Sequence, residues 1–157
     1  MLHNYTFQAM HATSPVPAPI RVAVAGATGY AGQELLRLLA RHPGASLTAA
    51  MSSGGESRRL PSLAHIWDGE VQPLDVDALG RAGDVVFLAL PESAAATVGG
   101  VLAGRGVRVV DLSGAFRLRD QEVRARWYPE TAALPAGTLY ALPERSRAAL
   151  PAARLVS

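Results

Sequence analysis

The chain has 157 residues, 49% of them hydrophobic, a formal net charge of +2, and neither cysteine nor lysine. This length predicts about one domain with a core of its own. The missing cysteine excludes disulfides, thiolate chemistry and cysteine metal sites within these residues, and the missing lysine excludes a Schiff-base nucleophile.

The rest of the composition points away from membranes, nucleic acids and metals. No apolar run approaches the roughly 20 residues of a membrane span, so we expect a soluble protein without a membrane partner. The 15 basic residues are all arginine and are scattered, unlike the basic stripe of a nucleic-acid binder. The four histidines share no metal-ligand spacing. We therefore predict no nucleic-acid partner and no metal site.

Residues 1–20 contain the segment SPVPAP, which disfavours regular structure because proline lacks a backbone donor. They have neither the cationic start nor the apolar stretch of a signal peptide. We predict a disordered extension over 1–20 and a folded domain over 21–157.

Residues 21–42, RVAVAGATGYAGQELLRLLARH, hold the clearest local pattern. Valine stands at alternate positions of residues 21–25, which predicts a buried strand. Gly26, Gly29 and Gly32 follow at a spacing of three, and leucines then recur at helical spacing. The predicted order is strand, glycine turn and amphipathic helix, ending at the His-Pro-Gly sequence that starts at residue 42.

This order suits a dinucleotide. Glycines allow a tight turn, close approach of a ligand to the backbone, and close packing of helix on strand. The helix that follows directs its unpaired N–H groups and positive dipole end at the turn, where a pyrophosphate fits. The spacing GxxGxxG is not the commoner GxGxxG, and a purely structural glycine turn is the alternative.

The second strand is predicted over 46–51, and its end bears on cofactor choice. NAD binders commonly place an acidic residue about 20 positions after the glycine turn, to hold the ribose 2′-hydroxyl. Here Ser52, Ser53 and Gly54 stand at the strand end, and Arg58 and Arg59 follow. Hydroxyls with nearby arginine favour a 2′-phosphate, hence NADP over NAD, although a solvated loop also explains the arginines.

Further strands are predicted over 84–91 and 106–111, with a helix over 93–102 between them and a short edge strand over 71–74. This alternation predicts an α/β, Rossmann-like, doubly wound and mostly parallel sheet with helices on both faces. Ligands of such sheets bind beyond the carboxyl ends of the strands. The strand ends at Gly26, Pro91 and Ser113 are therefore expected to face one crevice.

The last third of the chain predicts an amphipathic helix over 119–128, a turn over 134–137, a short helix after residue 140 and the start of a strand over 154–157. No catalytic constellation is visible. Glu92, Asp111 and Glu144 are single carboxylates, and such groups are more often caps or ion-pair partners than acids or bases.

Four motifs in order, VAVAGATGYAGQELLRLLARHP, FLALP, DLSGAFRL and YALPE, resemble the N-acetyl-gamma-glutamyl-phosphate reductase family of the semialdehyde dehydrogenase fold group. The resemblance covers residues 20–157. It implies a cytoplasmic, homo-oligomeric enzyme of arginine biosynthesis that reduces an acyl phosphate to an aldehyde with NADPH. It also implies a dinucleotide-binding domain over 21–157, followed in the family by a catalytic and dimerisation domain.

The family mechanism uses a cysteine that attacks the acyl phosphate, and its thioester is then reduced by hydride. The resemblance places that cysteine just beyond the counterpart of Ser157, so we expect this chain to contain no catalytic residue, to bind cofactor and not to turn over. Carried over by position, the expected cofactor-binding residues are Gly26, Ala27, Thr28, Gly29, Tyr30, Ala31, Ser52, Ser53, Leu90, Pro91 and Ser113. Arg117 is expected to approach the substrate phosphate.

Two departures keep other functions open. Gly114-Ala115 and Glu92-Ser93 replace the Ala-Asp and His-Gly pairs of the family, and the first resembles aspartate-semialdehyde dehydrogenase. The N-acetyl-aminoadipyl-phosphate reductase of lysine biosynthesis is a second alternative. An NADP-sensing binding protein of the atypical short-chain dehydrogenase type is a third, since GATGY also opens those chains.

Overall fold

The structure is a computed structural model that describes residues 18–131 and 133–157. Its strands are β1 Ile20–Ala25, β2 Ala45–Ser52, β3 Val71–Pro73, β4 Val85–Leu88, β5 Arg108–Asp111, β6 Thr138–Leu139 and β7 Leu155–Val156. Its α-helices are α1 Tyr30–Leu39, α2 Val76–Ala82, α3 Glu92–Gly104, α4 Gln121–Trp127 and α5 Pro143–Ser146. Within the described ranges no helix is long and apolar enough to cross a membrane.

All seven strands form one sheet in the order β3-β2-β1-β4-β5-β7-β6, and every pairing between neighbours is parallel. The chain winds outwards from β1 in both directions, which is the doubly wound arrangement. The predicted fold class is confirmed.

Alternate residues of β1 serve two cores. Val22 and Val24 pack with α1 and with Leu63 on one face of the sheet. Ala23 and Ala25 face the other side, where α2 and α3 pack. Because side chains alternate along a strand, a strand covered on both faces must be apolar throughout, and this explains the uninterrupted run VAVA.

Helix α1 follows the predicted pattern closely. Leu36 and Leu39 are buried against the sheet, whereas Leu38 is half exposed. Glu34 and Arg37 form an ion pair on the outer face.

Helix α2 has no counterpart in the sequence-based expectations. Asp75 caps it, since its carboxylate accepts a hydrogen bond from the Ala78 N–H at 2.9 Å, and Leu79 buries its apolar side. An Asp before a short apolar repeat is a recognised start signal, but seven residues give a periodic pattern little length to show. The two-residue strand β6 was missed for the same reason.

Helix α4 lies within the amphipathic helix predicted over 119–128. However, Val123 and Trp127 are exposed, Trp127 by 66%, and Arg124 is the buried residue. The expected extension over 1–20 falls mainly on residues 1–17, outside the described residues, and Ile20 already belongs to β1.

Candidate functional site

The carboxyl ends of β1, β4 and β5 lie side by side. Ala25 is in register with Leu88, and Leu88 with Asp111. The backbone hydrogen bonds continue past the strand ends, from the Ala89 N–H to the Ala25 carbonyl and from the Leu112 N–H to the Leu88 carbonyl. The structure thus brings the loops after all three strands to one edge of the sheet, as the motif order predicted.

Packing inside the protein requires a glycine at two positions, one in the turn after β1 (residues 26–29) and one in the first turn of α1. Gly26 has a φ of +85°, and a Cβ there would lie 2.6 Å from the Ala89 carbonyl carbon. A Cβ on Gly32 would lie 2.9 Å from Ala27 Cα and closer still to the Gly26 carbonyl. Internal packing therefore explains both positions.

Gly29 is different. Its φ of −71° suits any residue, and the nearest atom to a Cβ there would be the Gly26 carbonyl oxygen at an ordinary 3.6 Å. Gly29 is exposed at the N-cap of α1, beside exposed Tyr30 and Ala31. Neither backbone conformation nor packing requires a glycine here, so the open space above it suits a ligand that approaches the backbone.

Gln33 holds this turn in place, which sequence reasoning missed. Its Nε2 donates to the Thr28 carbonyl at 2.9 Å, and its Oε1 accepts from the Ser62 hydroxyl at 2.8 Å. Ala27 is fully buried, and its N–H joins that of Gly26 on the Met51 carbonyl. The turn is thereby fixed to β2 as well as to β1.

At the end of β2 the two serines differ. Ser52 is buried, and its hydroxyl accepts a hydrogen bond from the Gly54 N–H at 3.4 Å. Ser53 is exposed to solvent. Ser52 therefore shapes the turn, and Ser53 presents its hydroxyl at the surface.

The two arginines that follow also differ. The Arg59 guanidinium pairs with Asp68 at 2.6 Å and lies 3.7 Å from Glu70. Arg58 has its backbone fixed by two hydrogen bonds to Val71, and its exposed side chain forms no ion pair with any residue of the described ranges. Arg58 is thus the arginine left available to an anion.

On the other side of the glycine turn lies the loop after β4. The Leu90 side chain approaches the turn, with its Cδ2 3.3 Å from the position of a Cβ on Gly26. Pro91 is exposed and forms the N-cap of α3. Glu92 occupies the first turn of this helix, where the helix dipole stabilises a negative charge.

The loop after β5 is built on Asp111, a carboxylate that is only 2% exposed. It accepts hydrogen bonds from the Ser113 N–H at 3.0 Å, from the Ser113 hydroxyl at 2.9 Å and from the Ser157 hydroxyl at 3.4 Å. The Ser113 hydroxyl in turn accepts from the Ala115 N–H at 3.1 Å. One lone pair of that hydroxyl remains for a ligand.

Arg117 is exposed at the same loop and donates to the Leu112 carbonyl at 3.5 Å. A Cβ on Gly114 would overlap the Tyr128 ring, so Gly114 lets that ring pack against the loop. Ala115 is fully buried in the core cluster that contains Phe116. Two of the four residues that depart from the expected family pattern, Gly114 and Ala115, therefore fit this loop by packing.

A family model described as "Semialdehyde dehydrogenase, NAD binding domain" matches residues 21–153, which is most of the chain. The chain belongs to this family. A nicotinamide cofactor is accordingly the ligand of this domain type, and the glycine turn lies within the matched residues.

Several curated relatives of this semialdehyde dehydrogenase domain carry the same name. N-acetyl-gamma-glutamyl-phosphate reductase from Alkalilimnicola ehrlichii is 46% identical over 145 residues. The proteins of that name from Pseudomonas aeruginosa and Ectopseudomonas mendocina are 42% and 40% identical. In each case the match covers 88% of this chain and 42% of the relative.

Solved structures agree on the fold. Aspartate semialdehyde dehydrogenase II from Vibrio cholerae has a TM-score of 0.60 at 18% identity, over 88% of this chain and 37% of that one. Aspartate semialdehyde dehydrogenase with NADP from Candida albicans has a TM-score of 0.55 at 25% identity, over 66% of this chain and 32% of that one.

Arg124 is a second residue of this semialdehyde dehydrogenase domain that sequence reasoning missed. Only 5% of it is exposed, and its guanidinium donates to the carbonyls of Thr131, Leu118 and Arg119 at 2.9 to 3.1 Å. No carboxylate in the described ranges pairs with it. It ties α4 to the chain directly after Arg117, so it positions the loop that carries Ser113 and Arg117.

Burial raises the pKa of the Asp111 carboxyl above its usual range, against the opposing effect of the hydrogen bonds from Ser113 and Ser157. The folded domain therefore binds this proton more tightly than the unfolded chain does. Stability is then lost as pH rises from the usual aspartate range, about 3.9, through the raised pKa. We expect the unfolding free energy of wild type, minus that of Asp111→Asn, to fall over this interval in urea titrations.

Asp84→Asn is the control, and its slope has the opposite sign. The hydrogen bond from Arg21 lowers the pKa of Asp84, so wild type gains stability relative to this variant as pH rises through the lowered value. If the unfolding free energy of wild type minus that of Asp111→Asn rose with pH instead, the result would contradict a pKa of Asp111 raised by burial.

The described ranges hold no group of three histidine, aspartate or glutamate residues placed to bind a metal ion.

Proposed function

We propose that this chain is the NADP-binding domain of a cytoplasmic N-acetyl-gamma-glutamyl-phosphate reductase of arginine biosynthesis. The observation that carries the proposal is Gly29, an exposed glycine at a helix N-terminus for which neither packing nor backbone conformation gives a reason. Curated relatives of that name at 40 to 46% identity support the assignment.

In this proposal residues 26–31 hold the pyrophosphate. The turn presents a backbone free of side chains at Gly29, and α1 adds the unpaired N–H groups of its first turn and its positive dipole end. Exposed Tyr30 and Ala31 border the same opening. Ala27 and Thr28 support it from below, through the bonds to Met51 and Gln33.

The adenosine end of the cofactor lies beside Ser52 and Ser53 in this arrangement. Ser53 offers an exposed hydroxyl, and Arg58 offers a guanidinium that has no carboxylate partner among residues 18–131 and 133–157. Arg58 is two strand spacings from Ala50, about 10 Å, because Val71 pairs with both. An arginine at that distance suits a 2′-phosphate at the end of β2.

The nicotinamide end lies over the loops after β4 and β5. When bound, the nicotinamide supplies hydride. Leu90 and Pro91 give it an apolar wall, and Ser113 keeps one acceptor position free towards it. Arg117 is proposed to bind the phosphate of the acyl-phosphate substrate. Its exposure supports this role, as does the lack of a carboxylate within 4 Å of it in the described ranges.

The chain spans 42% of the length of its curated relatives and contains no cysteine. We propose that it binds cofactor without turnover, because thioester chemistry needs a thiolate. The complete enzyme is proposed to be a homo-oligomer whose partners are the cofactor and the acyl phosphate, with no nucleic acid or membrane.

Calorimetric titration with NADPH and NADH tests the cofactor. We expect NADPH to bind about tenfold more tightly, because a charge-assisted contact to the 2′-phosphate contributes about 1.5 kcal/mol or more. Arg58→Gln is expected to remove this preference and to leave the affinity for NADH unchanged.

Arg59→Gln is the matched control, since its guanidinium is already paired with Asp68. It should keep the preference. Equal binding of both cofactors by wild type would exclude the NADP assignment, and binding of neither by the folded chain would exclude cofactor binding by these residues alone.

A further inference from the structure

An open pocket lies at the edge of the sheet opposite the glycine turn, where β1, β4, β5 and β7 begin. It has a volume of about 440 Å³ between the start of β1 and the loop before β5, and it is open to solvent. Its charged lining residues are Asp84, Arg105, Arg108 and Arg154, and we call it the arginine cavity. A volume of this size accommodates a small metabolite.

The charges around the arginine cavity do not balance. Arg105 pairs with Asp77 at 2.6 Å, and Asp84 pairs with Arg21 at 2.6 Å.

Arg108 and Arg154 have no carboxylate within 4 Å in the parts of the chain that the structure describes. Their guanidinium groups reach only backbone carbonyls, Pro151 at 3.5 Å and Gly106 at 3.3 Å. Two positive charges therefore remain uncompensated.

The sheet places these two arginines next to each other. Val109 is in register with Leu155, and the Val109 N–H donates to the Arg154 carbonyl at 2.9 Å. Arg108 and Arg154 each precede one member of that pair, so they stand on adjacent strands about 4.8 Å apart. Like charges at neighbouring positions destabilise a sheet, and an anion between them removes the repulsion.

We propose that the arginine cavity binds a small anion that carries at least two oxyanion groups, of the phosphate or carboxylate class. Arg108 and Arg154 hold it, because the planar guanidinium fork matches both phosphate and carboxylate oxygens. The site lies at the amino ends of the strands, whereas the glycine turn lies at the carboxyl ends. It is therefore separate from the proposed cofactor crevice and does not depend on it.

Titration calorimetry of the full chain with inorganic pyrophosphate, and separately with citrate, tests this proposal. Each anion is expected to bind the arginine cavity, and Arg108→Gln or Arg154→Gln is expected to weaken that binding about tenfold or more. Pyrophosphate is also expected to bind the proposed pyrophosphate turn, so citrate is the probe that reports on the arginine cavity alone. Both side chains are exposed, so each variant is expected to keep its fold, which circular dichroism checks. Pyrophosphate alone would assign the phosphate class, citrate alone the carboxylate class, and both the shared oxyanion chemistry.

Two controls separate this site from other sources of binding. Arg126→Gln removes an equal charge from the exposed face of α4 and should not change the affinity. Gly29→Val alters the proposed pyrophosphate turn, so it should leave citrate binding unchanged and remove only the pyrophosphate bound at that turn. Absence of binding, equal weakening by Arg126→Gln, unchanged affinity in both Arg108→Gln and Arg154→Gln, or loss of citrate binding in Gly29→Val would each overturn the proposal.

Discussion

Gly29→Val is expected to fold and to lose NADPH binding by about a hundredfold or more. The new side chain meets no protein atom closer than 3.6 Å at its Cβ, so the protein accommodates it. It fills the space that the pyrophosphate needs, and several charge-assisted hydrogen bonds of about 1.5 to 3 kcal/mol each depend on that approach. The loss of glycine at the N-cap should cost no more than about 1 kcal/mol of stability.

Gly32→Val is the matched variant, three residues along the same chain, and it is expected to fail in a different way. Its Cβ would overlap backbone atoms of Gly26 and Ala27, which cannot rotate away. We expect it to lose about 3 kcal/mol or more of unfolding free energy. Urea unfolding and NADPH titration of both variants together check the pair. Unchanged NADPH affinity in folded Gly29→Val would exclude a pyrophosphate at this turn.

Arg124→Met is expected to destabilise the domain by about 2 to 4 kcal/mol. Methionine keeps much of the buried volume but donates no hydrogen bond, so the carbonyls of Thr131, Leu118 and Arg119 lose their partner. Hydrogen bonds from a charged donor are worth about 1.5 to 3 kcal/mol, and unpaired buried carbonyls add to the loss. Urea unfolding of wild type and Arg124→Met measures this loss of stability from the difference between their midpoints.

Arg126→Met, two residues further on the same helix, controls for helix propensity and net charge. Arg126 is exposed and only lies over the Trp127 ring, 5.8 Å from its centroid, so its loss should cost about 0.5 kcal/mol. Equal effects of the two substitutions would show that the buried guanidinium contributes nothing specific.

The strand, glycine turn and helix at the candidate site were predicted because their sequence signals come from neighbouring residues. The run from β1 through Gly26 and Gly29 to Leu36 carries its strand, turn and helix signals within about five residues of each other, and the structure follows them. The parallel sheet followed from the same alternation. The roles of these residues in cofactor binding stay predictions.

The side-chain contacts around the site were not predicted, because they join parts of the chain that are distant in sequence. Nothing local shows that Asp111 meets Ser157, 46 residues away, or that Arg59 is occupied by Asp68. Arg124 follows the pattern of a solvent-facing charge on a short helix, and only the folded loop around it supplies the three carbonyls. Burial of a charged residue is decided by tertiary hydrogen bonding, which periodicity does not record.

The alternation along β1 has a mechanical consequence. One strand supplies apolar side chains to the α1 layer and to the layer of α2 and α3, so neither layer can detach without breaking the packing of the other. The two halves therefore behave as one cooperative unit. The glycine turn leaves from the end of this shared strand, so the packing of both layers fixes where the turn begins.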